Sequence, residues 1–498
     1  MPKARHPLHD DITPVAAKNK EINLLHQLRY RDQKAQFLNS IDGKRNWIKE
    51  VVARHLDLKS SHTCHVAGME NWVHGSFDVS IPITIENWQK QGVLLRLPLP
   101  YRVGEAFRPG NGDEKIRCEA GTYAWLQENA PDVPIPKLYG FAMSTGETFT
   151  HVEYLPPLAS HSLINDVDSI DGGSTGYMLI EYIEDIESKK LSSTWFEKHE
   201  NDKLRCNFFR GLSRKLLTIT QTRLPRIGSF IIDNYGYLQL TNRPLTLEIE
   251  KLENQEIPTN MSRDYTYSTV NSYIMDILLS HDNRLRYEPN AVTDTGDYLY
   301  QASALTAMRS VLPSFFQSDL CRGPFVFNLT DLHPRNILVD DNWNITSLIG
   351  LEWACSHPIE MLRTPTWLTG KAIDEITEDS DEYDTRRKEF IDILAEEEER
   401  MHTDNSPKES LSNILRQTWE TGTFWYTLAL TDPKSLFTVF YKKIQPRFLK
   451  NCPEQDAFQQ VMPWYWAQDF VAVAANKVSD RKKYDLRLRE AYRADLED

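Results

Sequence analysis

Residues 325–354, FVFNLTDLHPRNILVDDNWNITSLIGLEWA, constrain this chain more than any other stretch of its sequence. Asp331 is followed five residues later by Asn336, then by the apolar run Ile337-Leu338-Val339 and the polar turn Asp340-Asp341-Asn342. A second apolar run spans 345–351. Short apolar runs bounded by turn residues read as two strands of a hairpin. A D-x-x-x-x-N spacing alone recurs by chance in long chains. Set ahead of strand, turn, strand and the sequence EWA, it marks a built loop that presents a carboxylate and a carboxamide together.

On those residues the segment resembles the aminoglycoside phosphotransferase family, in particular the large fungal group of kinase-like proteins in which this strand typically reads IIDLEWA. The resemblance covers about residues 75–369. It implies an α+β, protein-kinase-like fold of two lobes, a small β-rich N-lobe and a larger, mainly helical C-lobe. The expected division is 1–43 as an N-terminal tail and helix, 44–184 as the nucleotide-binding N-lobe, and 185–498 as the C-lobe with the catalytic loop and acceptor-binding helices. The implied activity is ATP- and Mg2+-dependent phosphoryl transfer to a hydroxyl of a small molecule.

Such chemistry asks for a base beside the attacking hydroxyl and for cations against the phosphates. By resemblance Asp331 is the base and Asn336 a magnesium ligand. The chain departs from the family at two points. The usual H-x-D becomes Leu329-Thr330-Asp331, and Gly350 stands where an aspartate holds the catalytic metal. Losing a preorganised charge there costs on the order of 10³ in rate, roughly 4 kcal/mol. Glu352 would share the strand face of Gly350 if extended geometry persisted, and is the expected substitute ligand. Its other reading is a structural carboxylate pairing a nearby base. Gly350 also supports the alternative of a catalytically impaired, pseudokinase-like binding protein of the same fold.

The nucleotide site is expected upstream. Gly75-Ser76-Phe77-Asp78 falls between apolar strands, where glycine would let backbone approach phosphate, although an ordinary hairpin turn reads the same way. Arg96 is the one cation in the apolar run GVLLRLP, and a charge inside a strand needs a partner. Glu119 aligns with the family's E-x-x-x-x-x-W-L helix, so Arg96–Glu119 is the predicted phosphate-binding pair; the alternative is an arginine snorkelling from an edge strand. Backbone groups from Glu181 to Ile183 would meet the adenine, unless this is a plain core strand.

The remaining readings set bounds. The chain has 498 residues, 40% of them hydrophobic, enough for more than one packed unit. It has no run of about 18 apolar residues and no secretory pattern at its start, so a cytoplasmic protein without membrane association is expected. Six scattered cysteines read as reduced thiols and the histidines form no zinc motif. A net charge of −14 argues against nucleic acid and suits a cationic acceptor, or simply solubility. Helices are expected at 21–37, 45–56 and 203–224, a hairpin around Asp233-Asn234-Tyr235-Gly236, mostly helix over 248–320, and an insertion at 155–174. Glu396, Glu397, Glu398 and Glu399 read as the wet face of a helix, and Trp464, Tyr465, Trp466 and Phe470 as core.

Overall fold

The computed structural model describes residues 14–18, 20, 22–88, 92–151, 163–166, 175–183, 188–401, 410–449 and 455–493. Within them the chain is α+β, as expected: a large antiparallel sheet in the first half and a mainly helical part in the second. No helix among the described residues is long and apolar enough to cross a membrane.

The sheet contains β1 (Cys64–Val66), β2 (Val73–His74), β3 (Asp78–Ile85), β4 (Val93–Pro98), β5 (Leu138–Ala142), β6 (Thr148–His151), β7 (Leu163–Asp166) and β8 (Tyr177–Glu181). Its order is β1-β3-β4-β8-β5-β6-β7, with β2 paired to β3. Alternation along β4 sorts its side chains between two faces. Val93, Leu95 and Leu97 are buried with Ile81, Ile83 and the helix Arg45–His55. Period 2 then turns Arg96 to the opposite face, toward the long helix Asn111–Asn129. β4 lies between β3 and β8, so Arg96 has no edge from which to reach water.

The helix Asn111–Asn129 connects the two parts. Its Ile116, Tyr123 and Trp125 are buried in the main core, and Trp125 stacks on Phe327 with centroids 4.1 Å apart. Gly121 allows the close approach, since a Cβ there would sit 2.3 Å from the Phe230 carbonyl oxygen. Beyond β9 (Lys189–Lys190), β10 (Arg223–Leu224) and the hairpin β11 (Ser229–Ile232) and β12 (Leu238–Asn242) comes the central strand β13 (Phe325–Leu329). It lies between β10 and β16 (Ala354–Pro358). β14 (Ile337–Val339) and β15 (Ile345–Leu348) form the expected hairpin, with β9 alongside β14. Helices Asp202–Gln221, Val270–Tyr287, Thr295–Val311 and Asp381–Met401 surround this core.

Three local expectations are corrected. The helix expected at 21–37 is instead Leu24–Gln27 followed by Tyr30–Asp42, with a turn between them. Glu397 and Glu398 are buried: Glu397 accepts from Arg214 and Arg400, and Glu398 accepts from the backbone amides of Leu411 and Ser412. A run of four acids on a helix covers more than one face, so two of them turned inward and found partners. Trp464 and Tyr465 are 63% and 78% exposed, outside the core their neighbour Phe470 joins. The insertion expected at 155–174 lies outside the described residues, apart from the backbone of β7.

A fully buried guanidinium ties the two parts together. Arg243 donates to both carboxylate oxygens of Glu114 at 2.7 and 2.8 Å and to both of Glu253 at 2.6 and 2.9 Å. Removing Arg243 strips two charge-assisted bonds from each buried carboxylate and leaves Glu114 with Arg263 and Glu253 with Arg108 as cation partners. Arg243→Ala is expected to lower stability by about 3–5 kcal/mol, read from the urea unfolding midpoint.

Candidate functional site

β13 runs directly into the acidic loop. The carboxamide of Asn336 donates to the backbone oxygen and to Oδ2 of Asp331, both at 3.0 Å. The loop is held by two bonds that no motif announced: Thr330 Oγ1 donates to the Trp353 carbonyl at 2.6 Å, and Trp367 Nε1 to the Leu332 carbonyl at 2.9 Å. Burial, with the Glu352 charge nearby, pushes the Asp331 carboxyl up to about 6, against the opposing pull of Asn336, Lys251 and Arg335.

The hairpin does not continue as a strand to Glu352. β15 ends at Leu348, and Gly350 has φ +67, the left-handed region that most side chains avoid. A Cβ on Gly350 would sit 2.8 Å from Cγ and Nδ2 of Asn336. The shared strand face expected of Gly350 and Glu352 is therefore not formed, because the backbone turns at the glycine. Glu352 instead places Oε2 3.5 Å from Arg96 Nη2 and Oε1 4.0 Å from Lys115 Nζ.

Magnesium needs hard oxygens in near-octahedral array, normally with one or two carboxylates. The space beside Gly350 is filled by the Asn336 carboxamide, and Glu352 faces cations. No group of three or more His, Cys, Asp or Glu side chains among the described residues could hold a metal ion. Asn336 and Glu352, the expected magnesium ligands, thus have different partners here: Asn336 bonds Asp331, and Glu352 faces Arg96 and Lys115.

Arg96 and Glu119 do meet. Arg96 Nη1 donates to Glu119 Oε1, and Nη2 donates to Asp78 Oδ2. Sequence reasoning missed Lys115, buried one turn before Glu119 on the same helix face, with Nζ 3.6 Å from Glu119 Oε2 and 3.6 Å from Asp78 Oδ2. The i,i+4 spacing of Lys115 and Glu119 was the available signal. Burial opposes the charge on Arg96, yet Asp78, Glu119 and Glu352 outweigh it and raise its pKa. Burial likewise opposes Lys115, and Glu352, Glu119 and Asp78 raise it. Two cations and three carboxylates thus share one buried pocket of charge.

The Gly75-Ser76 turn lies over this cluster. Gly75 N–H donates to the Asp78 carbonyl at 2.9 Å, and Phe77 packs edge-on against Trp353 at 5.2 Å. Ser76 offers its carbonyl to Arg102 at 2.7 Å. At the other end of the sheet, the amides of Glu181 and Tyr182 already donate to Lys137 and Gly92 carbonyls. The backbone expected to meet adenine spans Glu181 to Ile183, and its Glu181 and Tyr182 amides are thus taken up within the sheet.

No protein-family model matches the chain, and no curated protein matches it. Among solved structures it is similar to a thermostable mutant of an aminoglycoside phosphotransferase in ternary complex with AMP-PNP and hygromycin B, at 11% identity, covering 88% of this chain and 97% of that one, with a TM-score of 0.33. A Plasmodium vivax ethanolamine kinase is similar at 12% identity, with 85% and 88% coverage and a TM-score of 0.38. A type I macrolide 2'-phosphotransferase follows at 12%, 79% and 96%, with 0.34. Likeness at this level leaves the chemistry to be read from the side chains of this chain.

The contact between Gly350 and Asn336 is directly testable. Gly350→Ala is expected to cost about 1–2 kcal/mol for the left-handed backbone alone, and more if Asn336 must shift. The loss should appear in chemical denaturation.

Proposed function

We propose that this chain transfers the terminal phosphoryl group of ATP to a hydroxyl of a small molecule bound beside the Asp331 loop. The observation that carries the reading is Asp331 itself: a carboxyl raised to about 6, held by Asn336, at the end of a strand that lines a deep cavity. A base with a pKa near the working pH is well matched to proton removal. In this reading the Asp331 carboxylate takes the acceptor's proton as its oxygen bonds to phosphorus and the bond to ADP breaks. Arg96 and Lys115 supply positive charge toward the phosphates, Arg96 being oriented by Glu119 and Asp78. Gly75 and Ser76 cover the nucleotide, and the backbone at Glu181 and Ile183 faces its base. Residues 44–184 then act as a nucleotide lobe and 185–498 as an acceptor lobe, in a two-lobed, kinase-like arrangement. No step is assigned to a protein-held metal.

The sign of the pH effect comes from the raised pKa. The native state disfavours the Asp331 carboxylate, so Asp331 weakens the fold as pH rises from about 4 to about 6. Activity needs that same carboxylate and falls below about pH 6. The expected kcat/KM profile therefore has an acid limb near pH 6. Asp331→Asn is expected to lose about 10²–10⁴ in kcat while melting no lower than wild type at pH 7. A wild-type limb near pH 4, or full activity in Asp331→Asn, would reject the base.

The packing of Asn336 against Gly350 favours a second reading, a nucleotide binder that no longer catalyses. The deciding experiment incubates the full chain with γ-labelled ATP, with and without Mg2+, in a small-molecule extract, and follows label transfer alongside ATP-dependent thermal stabilisation. Transfer that depends on Asp331 is the expected result. Stabilisation by ATP without transfer would leave the binder.

A further inference from the structure

Beneath the Asp331 loop lies a cavity of about 240 Å³, walled by side chains such as Leu216, Leu252, Ile277, Phe327 and Leu415. It is larger than the ~150 Å³ engineered apolar cavity that takes benzene. Thr330 and Leu332, the chain neighbours of Asp331, form part of its wall.

Almost all of the polar lining is neutral or already paired. Burial pulls His281 down to about 4 and His357 down to about 3, so both are uncharged at neutral pH. The charged lining residues are Glu248 and Arg363. Glu248 accepts from Lys251 at 2.8 Å. Arg363 makes no hydrogen bond or ion pair with any described residue, and its Nη1 is closed off from solvent without a partner. Burial opposes its charge, and Tyr383 and Asp432 favour it only from beyond bonding distance. A guanidinium nevertheless stays protonated in a protein. An unpaired charge against an apolar wall is costly unless something supplies its partner. The planar fork of arginine suits a carboxylate or a phosphate.

Position adds a second constraint. The Arg363 charge acts on His357, whose Nδ1 lies 3.4 Å from Asn328 Nδ2. Asn328 precedes Asp331 by three residues, which in extended chain span about 10 Å. The cavity wall thus carries Arg363 together with Thr330 and Leu332, the residues on either side of Asp331.

We propose that this cavity receives an amphipathic acceptor, with an anionic headgroup on Arg363, a hydrocarbon body against the apolar wall, and its hydroxyl at the Asp331 end. The hydroxyl's role rests on the phosphotransfer reading; the anion preference does not. The proposal replaces the cationic acceptor suggested by the net charge of −14, because that sum describes the whole surface while the cavity carries one unpaired positive group.

The test is calorimetric titration of the full chain, without nucleotide, with octanoate, octyl phosphate, octanol and octylamine. Octanoate or octyl phosphate is expected to bind at least tenfold tighter than octanol, with octylamine weakest; the tighter anion identifies the headgroup. Arg363→Met should bind octanoate no better than octanol and melt no lower than wild type, since it loses an unpaired charge. Arg363→Lys should keep a reduced anion preference, which guards against misfolding of the methionine variant. The proposal is overturned if no probe binds, if octylamine equals octanoate, or if either variant keeps the full preference. Anion-selective binding without phosphoryl transfer would remove the phosphotransfer reading alone. Transfer to a neutral or cationic acceptor would remove this inference alone.

Discussion

Everything around the candidate site depends on placing one arginine in the middle of a sheet. Arg96 faces away from the β4 core with its side chain only 11% exposed, so the fold must bring acids to it. Three arrive from three different elements: Asp78 from the first residue of β3, Glu119 from the helix Asn111–Asn129, and Glu352 from the turn after β15. Lys115 joins as a second cation. Satisfying that charge fixes a glycine-containing turn, a helix and the end of the β14–β15 hairpin relative to one another. The same cluster reaches Asp331 through Glu352, whose charge helps to hold that carboxyl near neutrality.

The helix Asn111–Asn129 carries this arrangement into the second half of the chain. At its start Glu114 bonds Arg243, in its middle Glu119 bonds Arg96, and toward its end Trp125 stacks on the strand that delivers Asp331. Each contact needs the helix close to its neighbours, and Gly121 makes room for a backbone carbonyl that any Cβ would strike. One rigid element therefore sets the spacing between the cation cluster and the acid loop. The edge-on contact of Phe77 with Trp353 repeats the coupling on the opposite side.

Much of the site was legible because its signals are local. D-x-x-x-x-N before a strand–turn–strand pattern located Asp331 and Asn336, and their side chains are hydrogen-bonded. A lone cation in an apolar run called for a buried acid, and Glu119 was found at that position. What failed were readings that extended a local pattern past a break. Alternation predicted a common face for Gly350 and Glu352, but the chain leaves extended geometry at Gly350. Charge patterning predicted wet glutamates at Glu397 and Glu398, whose partners include Arg214 on another helix and the first amides of the helix Leu411–Thr421.

Taken alone, the order of residues determined the α+β class, most of the strands and helices, and the identity of the acid, the amide and the buried arginine. The fold class and the acid and amide were what a resemblance carried by local motifs implied; the hairpin and the need to pair Arg96 follow from turn chemistry and from the cost of an unpaired charge, which act over a few residues. Tertiary structure alone decided that Asp78 and Lys115 enter the Arg96 cluster, and that Asn336 fills the space beside Gly350. It also decided that Arg363 faces a cavity without a hydrogen-bond or ion-pair partner among the described residues. Those outcomes depend on which distant segments share a small volume, and dehydration there changes what each charge can do.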